Sequence, residues 1–285
     1  MNITEQKKSI VERLAAAGIT EAETDAFLLI REYTGVIRAD FLTDPDMEVP
    51  ESADLPALEE AVSKRCERIP LQHITGKTGF MGLDFNTSPA ALIPRPDTEI
   101  LAEEVLKDYH DGSRILDLCT GTGCIIISLL ALTNDCYGVG TDISEDALAL
   151  AGKNADEILG EKRDRLKLLQ GDLYDALDPD DKFEVIVSNP PYIRTADIDG
   201  LMPEVKDHDP FIALDGGEDG LDFYRRIIQG ASAHLCGGGD LVLEIGADQA
   251  EDVMNIMKEN RFIDVKTIKD YGGNDRVVRG ILSSL

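Results

Sequence analysis

The sequence predicts an α/β protein, a seven-stranded Rossmann-like sheet with helices on both faces, preceded by a small helical domain. Three observations carry that expectation. First, short apolar runs that read as strands, at residues 114–119, Tyr137–Asp142, 166–172, 183–189 and 240–246, alternate with helical patterns such as Glu145–Leu159 and 248–260. Second, a glycine turn in ILDLCTGTGC joins the first of these strands to its helix. Third, two last strand candidates, Phe262–Lys269 and 276–282, follow one another with no helix between them, so an antiparallel hairpin is expected at one end of the sheet.

The N-terminal part reads as helices. Ile10, Leu14 and Ala17 recur at helical spacing and Gly18 is a stop signal. Thr20-Glu21-Ala22-Glu23 has the form of a capping box, and Phe27, Leu28 and Ile30 then supply an apolar face up to Gly35. A third helix is expected over residues 55–68, ending before Pro70, and the acidic, proline-containing residues 43–53 read as a loop. GKTGFMGLDFN, residues 76–86, has three glycines and alternating apolar residues, the pattern of a hairpin connector. In LIPRPDTEI, Pro94 and Pro96 hold the chain extended, and Asp97 or Thr98 is expected to cap a helix beginning near Glu99. The division predicted is a helical domain over 1–75, a hairpin connector over 76–90 and the α/β domain over 91–285.

Composition narrows the function. The chain has 285 residues and a net charge of −27, from 28 Lys and Arg against 55 Asp and Glu. Binding through nucleic-acid phosphates needs a basic surface, so no direct nucleic-acid partner is expected. No apolar run approaches the roughly 20 residues of a membrane span. MNITEQKKSI lacks an apolar core of the kind signal peptides have, so no membrane association and a cytoplasmic location are expected. The five cysteines lack CxxC spacing and the four histidines are scattered, which predicts reduced thiols and no metal site.

Gly121 and Gly123 stand where the first strand hands over to its helix, so a ligand can approach the backbone and the N–H groups of the helix start. The next strand ends on Asp142, whose carboxylate can accept both hydroxyls of a ribose or, alternatively, cap the following helix. The dinucleotide fingerprint fails because Ile126 stands where its third glycine belongs, and no Gly-Lys-Ser/Thr follows as in a P-loop. The form DLxxGxG suits S-adenosylmethionine better, with no pyrophosphate to cradle. Asp172 can accept from the adenine amine with Leu173 packing on the ring; its plainer reading is a turn residue.

VSNPPYI, residues 187–193, ends a core strand on Asn189, Pro190, Pro191 and Tyr192. The prolines have no N–H and stiffen the turn. A planar NH2, in an amide or a nucleobase, is a weak nucleophile and must be held by acceptors. The Asn189 side-chain oxygen and the Pro190 carbonyl can serve, and Tyr192 can stack on the flat group. Positive charge grows on that nitrogen as a methyl group arrives, and the same carbonyl dipoles stabilise it. Asn189 is also expected to touch the cofactor.

These motifs, with RIPLQHITGKTGF (68–80), IPRPDTEIL (93–101), HDPFIALDGGEDGLDFYRRI (208–227), LVLEIGADQ (241–249) and GGNDRVVRG (272–280), resemble the release-factor glutamine methyltransferases, the PrmC/HemK family. The resemblance runs over nearly the whole chain. It implies an enzyme that methylates the Gly-Gly-Gln glutamine amide of peptide-chain release factors and yields S-adenosylhomocysteine; a monomer is a separate expectation. The resemblance further implies that Thr120, Gly121, Thr122, Gly123 and Asp142 bind cofactor and that Asn189, Pro190, Pro191 and Tyr192 hold the glutamine; Cys119, Asp172, Leu173 and Asn189 are expected to join the cofactor site, and the helical domain, which has apolar faces but no candidate chemistry, is expected to dock the factor. Cys119 stands where the family usually has glycine, Asp97 where glutamate is more common, and His208-Asp209-Pro210 departs from a usual glutamate before the proline and has no catalytic role here. The alternatives are an adenine- or guanine-amine methyltransferase acting on nucleic acid, and a non-enzymatic nucleoside-binding protein on the same scaffold.

Overall fold

A computed structural model describes residues 2–284. In chain order, the first elements are α1 (Ile3–Ala16), α2 (Ala22–Thr34), α3 (Arg38–Thr43), α4 (Leu55–Cys66), α5 (Leu71–Thr75), β1 (Lys77–Phe80) and β2 (Leu83–Asn86). They are followed by α6 (Glu99–Asp108), β3 (Arg114–Leu118), α7 (Cys124–Leu132), β4 (Tyr137–Asp142), α8 (Glu145–Leu159), β5 (Leu166–Gln170) and β6 (Phe183–Ser188). The last are α9 (Pro203–Lys206), α10 (Asp222–His234), β7 (Leu235–Glu244), α11 (Ala250–Glu259), β8 (Phe262–Lys269) and β9 (Asp275–Leu282). The chain divides into two compact units, one of Met1–Gly76 with Met202–His208, the other of Lys77–Leu201 with Asp209–Leu285.

In the smaller unit Ile10, Leu14, Leu29, Ile30, Leu58 and Val62 from α1, α2 and α4 form one apolar core. Asn2 caps α1: its side chain accepts from Glu5 N at 2.8 Å, and the Glu5 carboxylate accepts from Asn2 N at 3.2 Å. The capping box expected at Thr20–Glu23 does not form. α2 starts at Ala22, which makes Glu21 the cap residue and leaves Thr20 one position too early. The third helix ends at Cys66, short of residue 68, where Arg68 turns left-handed (φ 69°). α3 and α5 are too short to show a helical period and were not foreseen.

A buried ionic cluster fastens α9 within this unit. Arg65 donates to Asp25 at 2.7 Å and to Glu204 at 2.9 Å, and Arg68 donates to Glu204 at 2.8 and 2.6 Å. Burial pushes the Glu204 carboxyl up, but hydrogen bonds from Arg68 and Arg65 outweigh it and hold the group at about 2.

In the larger unit the seven strands run in the order β5-β4-β3-β6-β7-β9-β8. β5 through β7 are parallel, and β9 is antiparallel to both β7 and β8, as the two uninterrupted runs at the end of the chain predict. Alternate residues face opposite sides. Ile115, Val185 and Val187 meet Leu101, Ile126 and Leu129 of α6 and α7 on one face. Leu116, Ile186 and Leu241 meet Tyr224, Ile228, Val253 and Met257 of α10 and α11 on the other. β1 and β2 pair as a separate hairpin whose two turn residues, Met81 and Gly82, both have positive φ. β7 starts at Leu235, earlier than residue 240, because its pairing with β6 passes through a bulge; the glycines there read locally as a break.

β3 lies between β4 and β6, so the chain's connections leave it in opposite directions and open a crevice at the carboxyl ends of the three strands. Leu118 is in register with Thr141 on one side and Ser188 on the other.

Replacing Glu204 with alanine leaves the buried Arg65 with one carboxylate fewer. We expect a loss of about 3 kcal/mol, read as a lower urea midpoint for the helical unit in the full-length protein. Because the folded carboxyl sits below its ordinary 4.5, its stabilisation is complete above that pH and is lost as pH falls toward 2. Glu204→Gln should flatten the stability profile in that window; an unchanged midpoint and profile would contradict the cluster's role.

Candidate active site

The turn after β3 alternates into the left-handed region at Cys119 (φ 58°), Gly121 (54°) and Gly123 (78°). Glycine at Gly123 is doubly required: a Cβ there would lie 2.6 Å from Ile127 Cδ1 and 3.2 Å from Ala151 Cβ. Cys119 takes the same backbone sign with a side chain, at the position where the resembling family has glycine. Burial pushes its thiol well above the ordinary range, so it is an inert apolar group. Thr120 fixes the turn from below: its hydroxyl donates to Asp117 Oδ2 at 2.6 Å and its N–H to the Thr141 carbonyl at 3.0 Å. Asp117 is fully buried, and that burial raises its carboxyl to about 7. The Thr122 carbonyl accepts from Asn154 Nδ2 at 3.0 Å.

Asp142, the last residue of β4, braces the same turn. Its Oδ2 accepts from Gly121 N and its Oδ1 from Ser144 N, each at 2.9 Å. The cap of α8 is Ser144, whose side chain accepts from Ala147 N, so the helix-capping alternative for Asp142 is not what the structure contains. Each Asp142 oxygen keeps a second lone pair, and the residue lines the cleft. Asp172 also lines it, with one oxygen accepting from Arg226 at 2.7 Å. That partner lies 54 residues away and had no local signal in the sequence. Leu173 is buried with φ 55°, and its carbonyl accepts from the Thr141 hydroxyl at 3.0 Å.

On the other side of β3, Asn189 follows the end of β6 and lines the same cleft together with Pro191. Its Nδ2 donates to Thr98 Oγ1 at 3.3 Å. Pro190 and Tyr192 are outside the cleft lining. The Tyr192 ring packs against the core on the α10 side of the sheet, its hydroxyl donates to Glu244 Oε1 at 3.4 Å, and its carbonyl accepts from Gln249 Nε2 at 3.0 Å. Residues 214–217 run beside this turn, with Ile193 N donating to Leu214 O and Gly216 N to Ile193 O. A Cβ on Gly216 would lie 2.7 Å from Tyr192 Cα, so only glycine permits this approach.

Thr98 precedes α6 but makes no capping bond; the start of α6 is a short 3₁₀ turn that aims the hydroxyl at Asn189 instead. Asp97 likewise makes no cap and pairs with Arg276 at 3.3 Å. In the sequence Thr98 reads as a possible helix cap, Arg95, Glu244 and Gln249 carry no signal of their own within an extended segment, a strand and a helical run, and Asp209 lies in a segment brought in by the family resemblance. Arg95 donates to Asp209 at 2.6 Å, which ties the IPRPDTE and HDPF segments together at the cleft wall.

Backbone N–H groups at the start of α7, a carboxylate at the end of β4 and apolar walls from Leu173 and Ile143 suit an adenosyl group. The cationic side chains Arg95 and Arg226 on the wall are each bound to a carboxylate, so a sulfonium charge meets no unpaired cation from either. The residues present therefore fit S-adenosylmethionine.

The chain matches the family described as PrmC N-terminal domain over residues 7–76 and that described as methyltransferase small domain over residues 96–202. The release factor glutamine methyltransferase of Geobacter sulfurreducens is 41% identical over 268 residues, covering 94% of this chain and 92% of that protein. That of Agrobacterium fabrum is 42% identical over 275 residues, covering 94% and 93%. A solved methyltransferase from Pyrococcus furiosus, 20% identical, aligns over 71% of this chain and 90% of its own with a TM-score of 0.52, a likeness of fold. With sequence identity of this order across both domains, the chain belongs to the release factor glutamine methyltransferase family.

Proposed function

We propose that this protein transfers the methyl group of S-adenosylmethionine to the side-chain amide nitrogen of the glutamine in the Gly-Gly-Gln motif of peptide-chain release factors. The observation that carries this reading is Asn189: its NH2 is engaged by Thr98, which leaves Oδ1 as an acceptor at the cleft beside the glycine turn. The relatives' name supplies the acceptor's identity.

Bound in the cleft, S-adenosylmethionine supplies an electrophilic methyl carbon, with sulfur keeping the bonding pair as the glutamine nitrogen takes the methyl and one N–H proton leaves to water. The chain's residues hold and orient. Thr120, Gly121, Thr122 and Gly123 present backbone to the cofactor, Cys119 packs beside it, Asp142 accepts from the ribose, and Asp172 and Leu173 receive the adenine. Asn189 Oδ1 and the Pro190 carbonyl accept from the glutamine NH2, Pro191 confines it, and Tyr192, its ring packed against the core beneath the turn, holds that turn in place. These carbonyl dipoles strengthen their hold as positive charge grows on the nitrogen, so they act on the transition state more than on the bound substrate. No side-chain base is needed, because the methylated nitrogen is strongly acidic until it loses its proton. S-adenosylhomocysteine is the second product, and no metal takes part in this scheme.

A nucleic-acid base amine is the less favoured acceptor. It needs a flipped base and a basic docking surface, and the chain carries 28 basic against 55 acidic residues. No helix among the described residues is long and apolar enough to cross a membrane. The reading is of a monomeric enzyme working in the cytoplasm, with residues 1–75 as a docking domain, 76–90 as connector and 91–285 as methyltransferase domain. Mass spectrometry of a release factor incubated with this protein and S-adenosylmethionine tests it: one methyl on the Gly-Gly-Gln glutamine supports it, and an unmodified factor overturns it.

Asp142→Ala should weaken S-adenosylmethionine binding by about 1.5–3 kcal/mol or more, since hydrogen bonds to a charged acceptor are each of that size. Calorimetry within a factor of two of wild type would remove Asp142 from the pocket. Asn189→Ala should lower kcat by about 10²–10³ with a smaller loss of cofactor affinity. Tyr192→Ala should cost more than Tyr192→Phe because the ring's packing against the core, more than its hydroxyl, supports the proline turn, and equal losses would contradict that role.

Ile37 and Leu42 of the helical unit are 51% and 80% exposed. A glutamine between glycines offers few side chains to grip, so selectivity for the factor needs remote contacts. Replacing both with aspartate should reduce kcat/KM for whole factor by about tenfold or more and leave a Gly-Gly-Gln peptide unaffected. Equal effects on factor and peptide would refute docking through this face.

A further inference from the structure

We propose that Arg226 is a specificity-determining residue of the cofactor site: it pins Asp172 so that one carboxylate oxygen is left to accept from the exocyclic amine of adenine. The inference deepens the cofactor reading given above and rests on it.

Arg226 Nη2 donates to Asp172 Oδ2 at 2.7 Å, between residues 54 apart in sequence, and both side chains line the cleft. The Arg226 guanidinium also lies over the ring of Phe223, one turn earlier on α10, at 5.7 Å from the ring centre, and Phe223 lines the cleft too. The guanidinium is thus held from two directions, by a carboxylate at its edge and an aromatic ring at its face. The backbone that carries Asp172 is fastened to the same helix. Tyr174, two residues on, donates to the Ile227 carbonyl of α10 at 2.8 Å and stacks on His234 with ring centres 5.2 Å apart. Gly230 makes room for that ring: a Cβ there would lie 2.5 Å from it. α10 therefore grips the turn at Asp172–Tyr174 through Arg226, Ile227, Gly230 and His234.

Stability does not account for the ion pair. The Arg226 and Asp172 side chains are 49% and 40% exposed, and pairs in that setting add little to folding. The neighbouring Arg225 is satisfied close by on Asp219 and Asp222, whereas Arg226 reaches across to the cleft. Nor does Asp172 serve its own turn, because its side chain makes no capping bond to the 3₁₀ turn that follows. The arrangement has a chemical use. An ionised carboxylate can only accept. With Oδ2 committed to Arg226, the plane of the group is fixed and Oδ1 is left as the acceptor. The exocyclic amine of adenine offers it an N–H. A ring carbonyl in the same place sets acceptor against acceptor, and a buried polar mismatch of that kind is what rejects a near-isosteric ligand. Without Arg226 the carboxylate turns about its own bonds, so the amine loses a placed partner and the carbonyl loses its opponent. Arg226 is a positioning residue: it reaches the base through Asp172.

Calorimetry on the full-length protein tests this with S-adenosylhomocysteine and with S-inosylhomocysteine, in which a ring carbonyl replaces the amine. Wild type should bind the adenine compound more tightly by about tenfold or more. Arg226→Met keeps an unbranched stem and loses the donors. It should weaken the adenine compound by about 5–10-fold and bring the two affinities within about threefold of each other. Arg226→Lys keeps the charge without the planar fork and should fall between Arg226→Met and wild type. Asp172→Ala should remove the preference, and the double variant Arg226→Met/Asp172→Ala should bind the adenine compound no more weakly than Asp172→Ala alone, because the two act in series. A merely structural role for Arg226 would weaken both ligands alike. An affinity ratio in Arg226→Met equal to or above that of wild type overturns the proposal; if that variant does not fold, Arg226→Lys decides by the same ratio. A wild type that binds neither ligand refutes the cofactor reading and the proposal with it. A wild type that binds cofactor and leaves the release factor unmethylated refutes the functional reading, and the affinity ratio then still decides the role of Arg226.

Discussion

The pairing of β3 with β6 is the constraint on which the site depends. Leu118 and Ser188 are in register, and the Ser188 hydroxyl donates to the Leu118 carbonyl at 2.6 Å, a bond between residues 70 apart in sequence. The next residues on the two strands are Cys119, which opens the glycine turn, and Asn189, which opens the proline turn. A donor's cradle and an acceptor's clamp thus become neighbours through backbone pairing in the most buried part of the sheet, where register is set by which side chains face each core. A slip of one residue would send Ile186 and Leu116 to the wrong face and separate the two turns.

Holding two turns at fixed distance is useful only if each is rigid. The glycine turn is braced by Thr120 on Asp117 and by Asp142 on Gly121. The proline turn is held from beneath by the Gly216 backbone and by Gln249 on the Tyr192 carbonyl. Both supports include a fully buried acid whose carboxyl burial raises to about 7, Asp117 under one turn and Glu244 under the other. Buried acids of this kind weaken a fold. Their placement directly behind the two ligand-facing turns connects that cost to preorganisation, the property by which an enzyme holds dipoles in place before charge develops.

Much of this was legible in the chain because it is local. The glycine turn, the acid ending β4 and the asparagine ending β6 each sit at a strand end, and strand ends show in the hydropathy pattern. What escaped was set by long-range contacts or by competing local options. Thr98 has the chemistry of a helix cap and stands where one belongs, yet its hydroxyl is turned to Asn189, 91 residues away. Glu244 reads as an ordinary residue of a strand and Gln249 as one of a helical run, and only the packed structure shows them beneath Tyr192. Thr20 offered a capping box that Asn2 and Glu5 supply at another helix. Arg226 on Asp172 and Arg95 on Asp209 were likewise invisible, because an ion pair leaves no trace in sequence spacing.

The acceptor's geometry is the part of this account that matters most for chemistry. A crystal structure of the enzyme with S-adenosylhomocysteine and a release factor would measure it directly. The account predicts the glutamine amide nitrogen within about 3.2 Å of Asn189 Oδ1, on the side of the cleft that faces the glycine turn, with the Asn189 NH2 still turned to Thr98. A glutamine amide lying elsewhere, or an Asn189 that presents its NH2 to the substrate, would contradict it.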